Sequence, residues 1–201
     1  YREFEGKPVF LSSFAERVLN QVKQKAAHRE LCFHVEGEKD LYVFIPPAIL
    51  EEILEGFLKN AIENTPDEGM IAVSFEKRDH EVLLKVEDFG VGITEENQKL
   101  IFGGLFHTQE TDLYSSGNPY DFNAGGKGLD LLRIKVYGEH YGFDLSVKSR
   151  RCIFIPTNRD LCPGRISECP HCKSLEDCQS SGGSTFCISF PQPSEKPEQS
   201  G

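Results

Sequence analysis

The sequence predicts an α+β domain, a two-layer α/β sandwich with helices on one face of a mixed sheet. Three observations carry this. Strand-like and helix-like stretches alternate without a regular βαβ rhythm, one strand pair reads as a hairpin, and one long helix bears a broad apolar stripe facing a core. At 201 residues, 38% apolar and 27% charged, the chain suits a globular domain with a sizeable core.

The elements follow in order. Ser12 or Ser13 is placed to cap a helix whose apolar positions Phe14, Val18 and Val22 repeat at fours. Leu31, Phe33 and Val35 alternate as a half-buried strand, and Leu41 to Ile45 gives another. Pro46-Pro47 opens a second helix, where a missing amide hydrogen does no harm; its stripe runs from Ile49 to Ile62 and Thr65-Pro66 ends it. Met70 to Phe75 and Val82 to Val86 form the hairpin, and a short helix spans Glu95 to Phe102. From about 103 to 126 the chain is rich in Gly, Ser, Asn and Asp without a period, as a lid or disordered segment is. Helix returns over Leu129–Tyr141, followed by strands at Phe143, Leu145, Val147 and at Phe186, Ile188, Phe190. Residues 1–190 thus form one domain, and 191–201, rich in Pro, Glu and Ser, a disordered tail.

Bulk properties exclude several roles. A formal charge of −10 opposes non-specific nucleic-acid binding, which needs a Lys/Arg excess. No apolar run reaches the roughly 18 residues of a membrane span, and no secretory signal is visible. A chain beginning at Tyr1 reads as a fragment.

Three segments then suggest chemistry. Glu52, Gly56, Asn60 and Asn64 stand four apart on one helix face, and the amide oxygen of Asn60 is a hard ligand of the kind Mg²⁺ accepts beside phosphate oxygens. The plain alternative is a solvent-facing polar edge. Asp88-Phe89-Gly90-Val91-Gly92 follows a strand; its carboxylate can accept from the exocyclic amine of adenine while glycines let backbone approach the ring. A tight turn would look the same. Gly125-Gly126-Lys127-Gly128 opens a helix at Leu129, where free amide hydrogens and a lysine favour phosphate, although a glycine cluster also makes a hinge. In this order the three supply what is needed to hold Mg-ATP without a P-loop.

The segments EEILEGFLKNAIENTP, VEDFGVGI, IFGGLF and GGKGLDLLRIKVYGEHYG closely resemble the asparagine, first glycine, phenylalanine and second glycine boxes of the ATP-binding catalytic domain of sensor histidine kinases. That domain belongs to the GHKL superfamily, with gyrase B-type ATPases, and has the Bergerat-type ATP-binding fold. The resemblance runs from about Pro8 to Pro191, because KPVFLSSFAERVLNQVKQKA is similar to the linker strand and first helix of such domains. It implies that Asn60 is the catalytic Mg²⁺ ligand and Asp88 the adenine reader. Gly90 and Gly92 would shape the base pocket, and Phe102 and Phe106 would anchor the lid. Asn64, Gly126, Lys127, Gly128 and Leu129 would complete the ATP site. The implied reaction is transfer of the γ-phosphoryl group to a histidine, by positioning and charge neutralisation.

The chain departs from the pattern at three places. Gly56 stands where the family has Asn and gyrase-type ATPases carry a water-activating Glu, with Glu55 next to it as a candidate base; Glu63 stands where Lys or Arg is common; Asp130 replaces a third glycine. None of His28, His34, His80, His107, His140 and His171 has the setting of a phospho-acceptor, so the resemblance places the acceptor on a dimerisation domain upstream of Tyr1. The implied partners are ATP, that domain and a response regulator, with no nucleic acid and no membrane contact by this domain. The implied location is the cytoplasm, including the cytoplasmic part of a membrane-bound sensor. A GHKL ATPase, a serine-directed anti-sigma-type kinase, and a metal- or redox-sensing binding module are the alternatives.

One stretch lies outside the pattern. At about 156–183 an insert holds Cys162, Cys169, Cys172 and Cys178, with few large aliphatic residues to fix it. Their spacing suits a tetrahedral Zn²⁺ site, with His171 able to substitute for one sulfur, or an iron–sulfur cluster. The alternative is reduced thiols on a mobile loop or a disulfide formed on oxidation. Cys32, Cys152 and Cys187 read as packed residues.

Overall fold

The computed structural model describes residues 6–104, 118–124 and 130–193. Its elements are β1 (Lys7–Phe10), α1 (Leu11–Lys25), β2 (Cys32–Gly37), β3 (Tyr42–Ile45), α2 (Pro47–Asn64), β4 (Met70–Arg78), β5 (Glu81–Asp88), α3 (Glu95–Gly104), α4 (Leu131–Tyr141), β6 (Asp144–Arg150), α5 (Leu175–Gln179) and β7 (Gly183–Pro191).

Two sheets result. β1 and β3 pair antiparallel as a small ribbon, and the main sheet has the order β2-β4-β5-β7-β6. Only β2 and β4 run parallel; the other pairs are antiparallel, so the sheet is mixed as expected. Alternate residues of the central strands, such as Val73, Leu84 and Ile188, point to one face and meet the buried stripes of α1, α2 and α4. Layer on layer, this is the expected sandwich.

α2 forms because its apolar positions recur at helical spacing and Pro47 sits in its first turn. Leu50, Leu54, Phe57 and Leu58 are fully buried. α1 differs from expectation at its start. Its N-cap is Phe10, with no side-chain cap, and the Ser13 hydroxyl instead donates back to the Phe10 carbonyl at 3.4 Å. The chain passes from β1 directly into α1, so both serines fall inside the first turn.

The insert also differs from a bare loop. It carries a 3₁₀ turn at Ile166–Glu168 and the short α5, whose Ser174 and Asp177 form a reciprocal capping box. Arg165 pairs with Glu30 and Glu68, and the Ser167 amide donates to Glu68 at 2.7 Å, so polar contacts join the buried Ile166 in pinning the insert to the body. The expected tail beyond residue 193 lies outside the described residues.

Candidate nucleotide site

The polar edge of α2 faces α4 across a cleft of about 340 Å³. Glu52, Glu55, Gly56, Lys59, Asn60 and Glu63 line it from α2, and Asp130, Arg133, Ile134 and Tyr137 from the start of α4. Asn60 is half-buried there. Its side-chain oxygen and its backbone carbonyl both accept from the Asn64 amide, at 3.2 and 2.7 Å. Asn64 therefore does not line the cleft; it orients the oxygen that does.

Asn64 also reaches the second segment. Its carbonyl accepts the Val91 N–H at 2.9 Å, joining the end of α2 to the turn after β5. Asp88 ends β5 and is 1% exposed. Its Oδ1 accepts from the Gly90 amide at 3.1 Å, and the Ser184 amide of the neighbouring β7 also favours the charged carboxylate. Oδ2 has no partner. A buried carboxylate oxygen left unpaired is costly and is usually completed by a ligand or water. Burial dominates its titration, pushing the carboxyl up to about 7 against the opposing amide donors. Asp88 is not on the cleft wall itself; Asn64 and the Gly90 turn link it to Asn60.

The two glycines of this turn have a cause the sequence did not reveal. A Cβ on Gly90 would fall 2.0 Å from the Asn64 carbonyl oxygen, and one on Gly92, at φ +65°, would fall 1.9 Å from the Arg150 oxygen. The space is filled by the protein's own backbone, so packing of the turn against the ends of α2 and β6 requires glycine before any base arrives.

Phe102 falls on α3, while Phe106, Gly126, Lys127, Gly128 and Leu129 lie outside the described residues. Asp130 has a local reason: it caps α4, its carboxylate accepting the Arg133 amide at 2.9 Å. Glu55 lines the cleft, but its Oε1 is engaged by Lys25 and by the Tyr120 hydroxyl. The Tyr120 phenol is raised to about 12, first by burial and then by Glu55. Glu63, where a cation was the common choice, is buried beside Lys59 at 2.9 Å.

Arg29 was invisible to motif reading. Its buried guanidinium donates to the carbonyls of Ile62, Thr65 and Tyr120 at 2.9, 2.6 and 3.0 Å and to Asp67 at 2.7 Å. It thus closes the C-terminus of α2, whose last carbonyls have no helical partner. Its place a few residues after α1, beside His28, carries no motif.

The family model for histidine kinase-, DNA gyrase B- and HSP90-like ATPases matches residues 46–194. The chain belongs to this family. Among curated relatives of this ATPase-family domain, the adaptive-response sensory kinase SasA of Gloeothece citriformis is 30% identical over 140 residues, 67% of this chain and 32% of that protein. The sensor protein kinase PmrB of Pseudomonas aeruginosa is 31% identical over 136 residues, 67% of this chain and 26% of that protein. The chain thus spans about a third or less of these relatives. Among solved structures, the catalytic domain of histidine kinase ThkA aligns with TM-score 0.62 at 19% identity, covering 96% of this chain and 99% of that one. Full-length ShkA in complex with AMPPNP aligns with TM-score 0.64 at 17% identity, covering 97% and 33%. These structures share the fold of the ATPase-family domain.

The cysteines gather apart from the cleft. A small cavity of about 50 Å³ is lined by Cys162, Cys169, Cys172 and Cys178, and also by Cys152, which the sequence had suggested was simply packed. Cys169 and Cys178 lie near enough to Cys172 to disfavour its thiolate. Burial, then the neighbouring thiols, pushes Cys172 to about 12 and Cys178 to about 11. All cysteines are free, and no group of three or more His, Cys, Asp or Glu among the described residues is preformed to hold a metal. The His171 ring stacks on Phe154 at 5.3 Å. Cys32, expected to be packed, is exposed on the edge strand β2.

Proposed function

We propose that this chain is the ATP-binding catalytic domain of a sensor histidine kinase, delivering the γ-phosphoryl group of Mg-ATP to a histidine on a dimerisation domain outside this sequence. The observation that carries the reading is the unpartnered Oδ2 of Asp88, linked through Asn64 to an oriented Asn60 in an acid-rich cleft. Oδ2 suits the 6-amino group of adenine. Asn60 offers a neutral oxygen to Mg²⁺, and the ion neutralises charge on the triphosphate.

The cleft's charge supports a metal-borne nucleotide. Glu52, Glu55, Glu63 and Asp130 face only Lys59 and Arg133 among its described walls, so a bare polyphosphate would meet repulsion. Hydrolysis as the purpose is disfavoured. Gly56 offers no carboxylate, and Glu55 is held by Lys25 and Tyr120. Response-regulator contact and a cytoplasmic setting belong to the same proposal; ThkA has been crystallised with the response regulator TrrA. No helix among the described residues is long and apolar enough to cross a membrane.

Calorimetric titration with Mg-ATP and Mg-ITP tests the reading. ITP lacks the 6-amino donor, so it should bind at least about tenfold more weakly. Equal affinities, or no saturable binding of either, would sink it. Phosphotransfer to a separately supplied acceptor domain then separates kinase from binding module.

A further inference from the structure

The insert presents a cluster that the nucleotide reading does not use. Five thiols border one cavity, which the buried Ile155 and Ile166 also line, while Ile153, Leu161 and Leu175 are exposed nearby in the chain. Polar clamps at Arg165 and the capping box fix its edges. Cys162, Cys169, Cys172 and Cys178 border the cavity beside these clamps.

We propose that Cys162, Cys169, Cys172 and Cys178 bind one soft divalent ion of the zinc class, and that this ion fastens the insert onto the Asp88–Gly92 turn. Zinc–thiolate bonds of about 2.3 Å put the sulfurs of a tetrahedral set about 3.8 Å apart. Cys162, Cys169, Cys172 and Cys178 all border one cavity of about 50 Å³, so coordination needs local closure rather than refolding. The sulfurs border one cavity, and no ligand set is preformed among the described residues. Each sulfur that binds releases its proton to solvent, four in all, leaving two net negative charges. Arg165 borders the cavity and Arg151 lies near Cys162, so cationic side chains offset that charge. Cys152 is less suited, because it already accepts from the Ser181 hydroxyl at 3.3 Å.

The connection to the turn is direct. Gly90 and Val91 border the same cavity as the thiols. The Cys152 amide donates to the Val91 carbonyl at 2.8 Å, and Arg151 to the Gly92 carbonyl at 3.3 Å. An ion that holds the insert therefore holds the turn that presents Asp88.

The test uses the whole chain, reduced and stripped of metal, titrated with Co²⁺ and then Zn²⁺. We expect one equivalent of cobalt with sulfur-to-metal charge-transfer absorption, displaced by zinc, and about four protons released per ion. At zinc about ten times its Kd, exchange of the Val91 and Cys152 amides should slow about tenfold. Cys172→Ser should abolish the cobalt absorption, whereas Cys32→Ser should keep it. Absence of thiolate absorption in the unaltered chain overturns the proposal, and needs no variant to fold. So does unchanged cobalt binding by Cys172→Ser, or amide exchange indifferent to zinc. The metal site does not depend on the kinase reading: an intact cobalt signal in a chain that binds no nucleotide supports the site and counts against the kinase.

Discussion

The backbone amide of Tyr120 donates to Oε1 of Glu63 at 3.1 Å, across 57 residues of chain. Asn123 adds a bond from its amide to the Glu63 carbonyl at 2.8 Å, and Arg29 holds the Tyr120 carbonyl from the other side. The described segment 118–124 is thereby riveted to the end of α2. A residue that a motif comparison marks as a missing cation is a structural anchor. Its carboxylate is occupied by Lys59 and the Tyr120 amide.

Arg29→Ala should destabilise the domain by about 2–4 kcal/mol, because three carbonyls and Asp67 lose charge-assisted donors at once. Arg29→Lys should recover only part, since an ammonium cannot span the same fork. Urea unfolding measures both. A loss below about 0.5 kcal/mol for alanine would mean that the guanidinium is not the clamp.

Asp88 makes stability depend on pH in a stated direction. Its folded-state value, about 7, exceeds the ordinary 3.8, so the native state binds the proton more tightly than the unfolded chain. Stability from this group is therefore present at low pH, declines between about 4 and 7, and is flat above. A displacement of that size is worth on the order of 4 kcal/mol. Asp88→Asn should remove the decline and be no less stable at pH 8, while binding Mg-ATP about ten- to a hundredfold more weakly. Thermal melts across pH 4–8, paired with calorimetry, check both halves.

Asn60→Ala should leave the melting temperature nearly unchanged, since the side chain is half-exposed and only accepts from Asn64. Magnesium-dependent tightening of ATP should vanish. Asn64→Ala should weaken that tightening several-fold without abolishing it, because the oxygen loses its orienting donor. Titrations with and without Mg²⁺ distinguish the two; identical behaviour of both variants would remove the positioning role.

Gly92→Ala should cost more than about 3 kcal/mol or prevent folding, combining a left-handed φ with a backbone clash at Arg150. The comparison is Gly142→Ala. That position also has positive φ, but nothing lies within 4 Å of an added Cβ, so its cost should be nearer 1 kcal/mol. Equal costs at both sites would show that the clash is relieved.

The sequence spoke clearly where periodicity or chemistry is local. α2 was readable to within a residue or two because its stripe repeats over many turns, and β4–β5 because a short charged link joins two alternating runs. Asn60 and Asp88 were legible as chemical types at strand and helix ends. Contacts that depend on chain closure were not. Arg29, Glu63 and Cys152 act on residues 33 to 91 positions away, and no spacing rule encodes such pairs. The glycines of the turn were found, but their main cause, backbone against backbone, needs coordinates.

β7 follows every other strand in sequence yet lies between β5 and β6, with Ser184 opposite Asp88. During synthesis, then, the hairpin of β4 and β5 must wait with one edge bare until β7 clears the ribosome. A nascent chain halted before Gly183 would expose that edge to neighbouring polypeptides, and chaperone dependence should concentrate in that interval.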